Sequence, residues 1–189
     1  MENDILSLLK DSGAFLEGHF LLTSGRHSNR YIEKFRLMES PNHLDRICKM
    51  MSEQFNPNDV DIVLGAAIGG ILLSSGVAKY IGKKGIFTER VKESMELRRG
   101  FEIKESSNVL IVEDIVSTGG SIFELIKVVQ EHNANIIGIT SIVHRSMENI
   151  NFNCPYKPLL NYPVESWDQD NTPDWLNEIP ITVQGRSGK

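Results

Sequence analysis

The stretch VLIVEDIVSTGGSI, residues 109–122, restricts the possible fold more than any other part of the chain. Four apolar residues run into two adjacent acids, Glu113 and Asp114, and small and hydroxyl-bearing residues follow. A short apolar run that ends in a glycine-containing turn is typical of a buried parallel strand entering a helix. The stretch therefore predicts a strand–loop–helix unit with two carboxylates at the carboxyl end of the strand.

Strand and helix signals alternate along the rest of the chain. Apolar runs predict strands at 60–65, 85–88, 101–103 and 136–143, and apolar residues at helical spacing predict helices between most of them. This alternation predicts an α/β fold in which a mostly parallel sheet is flanked by helices. The length suits one domain, 1–189. Residues 151–189 hold five of the seven prolines and lack periodicity, so we interpret them as an irregular C-terminal tail.

The loop after the two acids has the composition of an anion site. Ligands of open parallel sheets bind beyond the carboxyl ends of the strands. Thr118, Gly119 and Gly120 can present backbone N–H groups to an anion at a helix N-terminus, where the dipole also favours negative charge. Carboxylates beside such a cradle suit hydroxyl groups or a cation. The pattern therefore predicts a sugar-phosphate site.

Several other classes of protein are disfavoured by the sequence. Neither the Walker pattern nor the GxGxxG fingerprint is present. The two cysteines belong to no metal-binding cluster, and a net charge of -5 argues against a nucleic-acid-binding surface. No apolar run is long enough for a bilayer, and the N-terminus has acids where a signal peptide has a basic region. We expect a cytoplasmic protein without membrane or nucleic-acid partners.

EDIVSTGGS resembles the phosphoribosyl-pyrophosphate (PRPP) motif of type I phosphoribosyltransferases. From about residue 10 to about residue 150 the chain resembles the orotate phosphoribosyltransferases of that family, through GHFLLTSGRHSNRY, LGAAIGG, ERVKESMELRRGF and SIVHRS. The resemblance implies the family fold, with a small N-terminal hood formed by the flap region 1–40. It also implies transfer of the 5-phosphoribosyl group from PRPP to orotate, giving orotidine 5′-monophosphate and pyrophosphate.

The resemblance assigns the PRPP contacts to two loops. In this family the paired acids hold the ribose hydroxyls, the loop after them holds the 5′-phosphate, and an earlier loop binds pyrophosphate. The residues that match these positions are Glu113, Asp114, Ile115, Val116, Ser117, Thr118, Gly119, Gly120 and Ser121, together with Ala67, Ile68 and Gly69. Mg²⁺ is the implied cofactor. We expect PRPP itself to hold most of its coordination, without a dedicated protein cage.

The base site and the catalytic loop are assigned in the same way. Ser117 and Arg145 match the family's base-binding positions, and a planar guanidinium suits the carboxylate of orotate. The segment TSGRHS matches the base-site flap, with Ser24, Gly25 and Arg26 near the ligand. Residues 89–100 match a mobile catalytic loop, which in this family often closes over the site of the neighbouring subunit in a homodimer. Its cations, expected to neutralise the leaving group, are Arg90, Lys92, Arg98 and Arg99.

Two alternatives remain open at this stage. The accepted base could be another pyrimidine or a purine, since the PRPP motif is common to the whole fold. The chain could also be a PRPP-binding regulator without turnover, although it lacks a helix-turn-helix extension or a basic stripe. Departures from the family pattern, such as Ile68-Gly69 where many members have a lysine, leave open which cation assists departure of pyrophosphate.

Overall fold

The computed structural model describes residues 2–22 and 24–184. The α-helices are α1 (Glu2–Asp11), α2 (Lys34–Met38), α3 (Pro41–Ser52), α4 (Gly69–Ile81), α5 (Gly120–Glu131) and α6 (Asp174–Asn177). The strands are β1 (Phe15–Leu21), β2 (His27–Ile32), β3 (Ile62–Ala66), β4 (Lys84–Val91), β5 (Ser94–Leu97), β6 (Asn108–Val116), β7 (Asn135–His144), β8 (Tyr156–Asn161) and β9 (Ile181–Val183). Short 3₁₀ turns lie at Pro57–Asp59 and Gln169–Asn171.

The central sheet confirms the predicted α/β class. Its six strands lie in the order β5-β4-β3-β6-β7-β8, and every neighbouring pair is parallel except β4 and β5. All five residues of β3 are buried, as expected for a strand covered by helices on both faces. Two apolar clusters form the core, one containing residues of α1, α3 and α4 and the other residues of α5. The carboxyl ends of β3 and β6 therefore open at the same edge.

Local signals in the sequence mark the start of α3 and the end of α4. Ser40 caps α3, its side chain accepting a hydrogen bond from the His43 amide, and Pro41 occupies the first turn. Gly82 ends α4 in the left-handed conformation, which glycine adopts without strain. None of the described helices has both the length and the apolar character that crossing a membrane requires.

The prediction of an irregular tail was incomplete, because the tail contributes strands to both sheets. β8 pairs with β7 in parallel and forms one edge of the central sheet. β9 pairs with β1, completing a three-stranded sheet in the order β2-β1-β9 that forms the hood. Both strands are short and stand at sheet edges, so their pairing depends on distant partners more than on their own pattern.

The segment predicted as a charged loop, 89–100, is largely a β-hairpin in the structure. β4 extends through Val91, a turn follows at residues 92–93, and β5 returns antiparallel with Arg90 opposite Met95. Charge-dense sequence is compatible with a strand at a sheet edge, where one face meets water. The strand expected at 101–103 is absent from this described part of the chain, although Ile103 is buried.

Candidate active site

The loop between β6 and α5 lines a cavity of about 360 Å³ at the edge of the central sheet. Gly119 stands at the N-cap of α5 with φ of 80°, a conformation that side chains rarely adopt. A Cβ at this position would also lie 2.8 Å from the Phe152 ring. The first amides of α5 have no partner within the helix, so they can donate to an anion in this cavity.

The cavity brings together most of the residues predicted to bind the phosphate, together with two acids and one cation. The residues that line it are Arg90, Glu113, Ile115, Val116, Ser117, Thr118, Gly119, Gly120, Ser121, Ile122 and Glu124. An anion seated on the loop would therefore meet hydroxyl groups, backbone amides and a guanidinium.

The two acids are buried on opposite sides of β6, because successive side chains of a strand alternate in direction. Glu113 is 7% exposed and Asp114 is 3% exposed. Lys34 at the start of α2 places its ammonium nitrogen 2.6 Å from Asp114 Oδ2. The other oxygen, Oδ1, accepts a hydrogen bond of 2.6 Å from the amide of Ile115. Asp114 is thus held as a paired carboxylate at the edge of the sheet.

Glu113 has a different electrostatic environment. Burial, and then the negative charge of Asp114, raise the pKa of Glu113 to about 8, although its Oε1 accepts a hydrogen bond of 2.8 Å from the Asp114 amide. Lys34 opposes this shift. This environment favours the protonated form of Glu113.

The loop after β3, predicted to bind pyrophosphate, lies directly against Asp114. A Cβ at Gly69 would collide with Asp114 Oδ2, and a Cβ at Gly65 would collide with the carbonyl of Gly70. Glycine at 69 is therefore required for the loop to approach β6, and glycine at 65 is required for β3 to approach the start of α4. Ile68 in the same loop is 70% exposed.

The predicted base-binding pair is brought together by β6 and β7. Arg145 Nε donates a hydrogen bond of 2.5 Å to Ser117 Oγ, and the Arg145 amide donates to the carbonyl of Val116. Burial lowers the pKa of the Arg145 guanidinium, and the nearby Tyr31 hydroxyl opposes this effect. Burial also raises the pKa of Tyr31. Ser117 therefore belongs both to the phosphate cavity and to the surroundings of Arg145.

The four predicted loop cations are not equivalent in the structure. Arg90 lines the cavity and forms an ion pair of 2.6 Å with Glu124. Arg99 forms an ion pair of 2.9 Å with Glu89 at the base of the hairpin. Lys92 and Arg98 are exposed. Arg90 is thus already positioned at the cavity, and the others extend from the hairpin.

The predicted flap residues lie in the turn between β1 and β2. Thr23 lies outside the described residues, whereas Ser24 and Gly25 are exposed. Arg26 donates hydrogen bonds to the tail, to Ser166 Oγ at 2.9 Å and to Asp168 Oδ1 at 2.6 Å. Its predicted contact with the base stays a prediction.

Sequence reasoning did not identify two residues of the site, Lys34 and Tyr31. Tyr31 ends the quoted stretch GHFLLTSGRHSNRY and Lys34 follows it, but neither residue was assigned a role there. Their significance comes from tertiary neighbours, Asp114 for the lysine and Arg145 for the tyrosine. Among the described residues, no group of three or more His, Cys, Asp and Glu side chains could hold a metal ion.

Comparison with known proteins gives consistent results. Residues 36–166 match the family model of the phosphoribosyl transferase domain. The chain is 40% identical over 184 residues to the orotate phosphoribosyltransferase of Thermoanaerobacter sp. (strain X514), an alignment that covers 97% of each protein. It is 38% identical over 184 residues to the orotate phosphoribosyltransferase of Thermotoga maritima, covering 97% of this chain and 98% of that protein.

Solved structures share the fold. The crystal structure of orotate phosphoribosyltransferase from Aeropyrum pernix matches with a TM-score of 0.67 and 24% identity, covering 83% of this chain and 93% of that one. The adenine phosphoribosyl transferase of Trypanosoma brucei matches with a TM-score of 0.62 and 15% identity, covering 82% of this chain and 79% of that one. Because proteins named for different bases share the fold, the fold alone does not determine the base.

Proposed function

The chain belongs to the orotate phosphoribosyltransferase branch of the phosphoribosyl transferase family, and we propose that it transfers the 5-phosphoribosyl group of PRPP to orotate. The products are orotidine 5′-monophosphate and pyrophosphate, in pyrimidine nucleotide synthesis. The observation that carries this proposal is the position of Ser117. It lines the phosphate cavity and at the same time contacts Arg145, a half-buried guanidinium suited to a carboxylated base.

PRPP would lie across the edge of the sheet between the two loops. Its 5′-phosphate would accept hydrogen bonds from the amides at the start of α5, and its ribose hydroxyls would face Glu113 and Asp114. Pyrophosphate would then reach the loop of residues 67–69, which packs against Asp114. The closeness of this loop to the acids supports one continuous donor site.

The proposed reaction exchanges one bond at C1 of the ribose for another. The C1–O bond to pyrophosphate breaks with its electron pair leaving on oxygen, and a ring nitrogen of orotate attacks C1 with inversion. Orotate is anionic, so a strong general base is not required. The chain contributes by positioning the substrates and by stabilising charge on the leaving group. Arg90 is the cation already placed at the cavity, and Lys92, Arg98 and Arg99 would approach when the hairpin moves.

We propose Mg²⁺ as the cofactor. Glu113 and Asp114 supply at most two carboxylates, which suits an ion that keeps water and substrate oxygens as its other ligands. When bound with PRPP, Mg²⁺ neutralises charge on the pyrophosphate. A nearby Mg²⁺ would oppose the raised pKa of Glu113 and favour its ionised carboxylate.

The function is tested by pyrophosphate release from PRPP and Mg²⁺ with orotate, uracil, adenine or hypoxanthine. We expect release with orotate. Arg145→Ala should raise the KM for orotate about 10- to 100-fold, because a charge-assisted hydrogen bond is worth about 1.5–3 kcal/mol. Arg46→Ala on α3 is the matched control and should leave this KM unchanged. Release with adenine or uracil instead would refute orotate specificity, and PRPP binding without release for any base would favour a regulator.

We also propose that the protein is a cytoplasmic homodimer whose hairpin acts on the partner's site. Exposed apolar side chains cluster around the donor loops, with Ile68 at 70%, Leu72 at 42% and Phe35 at 44% exposure. Both cysteines are unpaired, which fits a reducing compartment. If the hairpin acts across subunits, mixing an Asp114→Asn protein with an Arg98→Ala/Arg99→Ala protein should restore activity. Absence of restoration in an exchanged dimer would contradict sharing.

A further inference from the structure

The C-terminal tail connects Arg145 with the flap, the two parts of the chain that the resemblance assigns to the base site. After β8 the chain runs along the end of β7, where the amide of Tyr162 donates to the carbonyl of His144 at 2.8 Å. The amide of Val164 donates to the carbonyl of Arg145 at 3.1 Å. One end of this segment is thus fixed to the backbone of the arginine that faces Ser117. We call residues 162–168 the strap.

The other end of the strap is fixed to the flap. The amide of His27 donates to the carbonyl of Trp167 at 2.7 Å, and the amide of Trp167 donates to the carbonyl of His27 at 2.8 Å. Ser28, fully buried, donates its hydroxyl to the carbonyl of Glu165 at 2.9 Å. The flap is therefore joined to the strap by one reciprocal backbone pair, His27 with Trp167, and by the side chain of Ser28.

Arg26 strengthens this junction with its side chain. Its Nε donates to Ser166 Oγ at 2.9 Å, one terminal nitrogen donates to Asp168 Oδ1 at 2.6 Å, and the other donates to the carbonyl of Ser166. All three nitrogens of the guanidinium are thus engaged by two residues of the strap. Three of the five N–H donors of Arg26 are therefore directed at the strap and not at a ligand.

Further contacts keep the tail and the hood together. The Tyr162 ring packs edge-on against Phe15 of β1, with centroids 5.2 Å apart, and the Arg30 guanidinium lies 5.6 Å from the Tyr162 ring centroid. Buried His19 contacts both the carbonyl of Ile179, at 3.1 Å, and the ring of His27, at 2.6 Å. The hood, the flap and the tail therefore form one packed unit.

We propose that the strap sets the distance and orientation between the flap and Arg145, and that Arg26 is a positioning residue which acts through the strap. The inference rests on the proposed function, because it takes Arg145 and the flap, both matched to the base site by the resemblance, as two walls of one base pocket. A flap held loosely would still permit the chemistry once the base is bound, since the donor site and Arg90 lie elsewhere. Loss of the strap contacts should therefore weaken binding of the base more than it slows turnover.

The test uses steady-state kinetics of the full chain with three variants. These are Arg26→Gln, the strap variant Ser166→Ala/Asp168→Asn, and their combination. We expect Arg26→Gln and the strap variant each to raise the KM for orotate about 5- to 20-fold. The kcat and the KM for PRPP should stay within about twofold of the wild type. The combination should be no worse than Arg26→Gln, because both changes remove the same contacts.

Asp45→Asn is the matched control. Like Asp168→Asn, it removes an exposed ion pair of similar length, here 2.7 Å to Lys79, but between α3 and α4. It should leave all kinetic constants unchanged. Arg26→Lys should raise the KM for orotate less than Arg26→Gln does, but it should not restore the wild-type value. An ammonium cannot donate to both strap residues in the planar geometry of a guanidinium.

Three results would overturn the proposal. An unchanged orotate KM in the strap variant would remove any role for these contacts. Multiplying effects in the combination would mean that Arg26 binds the base directly. A fall in kcat and Tm together with a rise in both KM values would indicate general destabilisation. If the wild type accepts a different base, the proposed function is wrong, and the strap proposal is tested with the KM for that base. If the wild type accepts no base, both the proposed function and the strap proposal are overturned.

Discussion

Glu113→Gln should stabilise the folded protein increasingly as the pH rises from 6 to 8. The pKa of Glu113 is raised to about 8 by burial and by Asp114. Between pH 4.5, which is the ordinary pKa of glutamate, and about pH 8, the folded protein holds a proton that the unfolded chain releases. The free energy of unfolding of the wild type therefore falls as the pH rises through this window and levels off above it. Glutamine has no charge to bury.

The size of the effect follows from the same pKa. A difference of one bound proton changes the free energy of unfolding by about 1.4 kcal/mol per pH unit. This slope becomes smaller near pH 8, where Glu113 begins to ionise in the folded state. The stability difference between Glu113→Gln and the wild type should therefore grow by about 2 kcal/mol from pH 6 to pH 8. Urea denaturation of the unliganded protein at pH 6, 7 and 8 measures this difference directly.

The control for this experiment is Glu53→Gln, which changes an exposed glutamate at the end of α3. Its stability should run parallel to that of the wild type across the pH range. If the stability of Glu113→Gln also ran parallel to that of the wild type across this pH range, the assignment of a buried, protonated Glu113 in the unliganded site would be refuted.

Three further predictions follow from the geometry of the site. Gly119→Ala should lower stability by about 1–3 kcal/mol in urea denaturation, from its positive φ and the Phe152 contact; a loss below about 0.5 kcal/mol would contradict this. Lys34→Met should cost about 1–3 kcal/mol by leaving the Asp114 carboxylate unpaired. Adding Asp114→Asn should recover most of that loss, and no recovery would count against the pair. Chelation of Mg²⁺ with EDTA should abolish pyrophosphate release, with excess Mg²⁺ restoring it; full activity in EDTA would exclude a magnesium requirement.

The sequence predicts the centre of the fold well because local and tertiary preferences agree there. β3 and β6 are short apolar runs whose burial on both faces is what such runs require. The Ser40-Pro41 start of α3 is readable for the same reason, since the cap is local chemistry. The loop predicted to bind phosphate has a glycine at 119 that the structure requires, because of its positive φ and because of its neighbour Phe152.

The edges of both sheets were less predictable. The β4–β5 hairpin carries charges that a loop would also carry, and its pairing is visible only in three dimensions. β9 is held by β1, near the other end of the chain, and β8 is held by β7 across an irregular connection. Lys34 was missed for a related reason, because its role depends on Asp114, eighty positions further along.

A crystal structure of the protein with PRPP and Mg²⁺ tests the central claim most directly. We predict that the 5′-phosphate lies within hydrogen-bond distance of the amides of residues 118–121, with the ribose hydroxyls against Glu113 and Asp114. A donor bound away from this edge, with both carboxylates facing away from any sugar, would contradict the account.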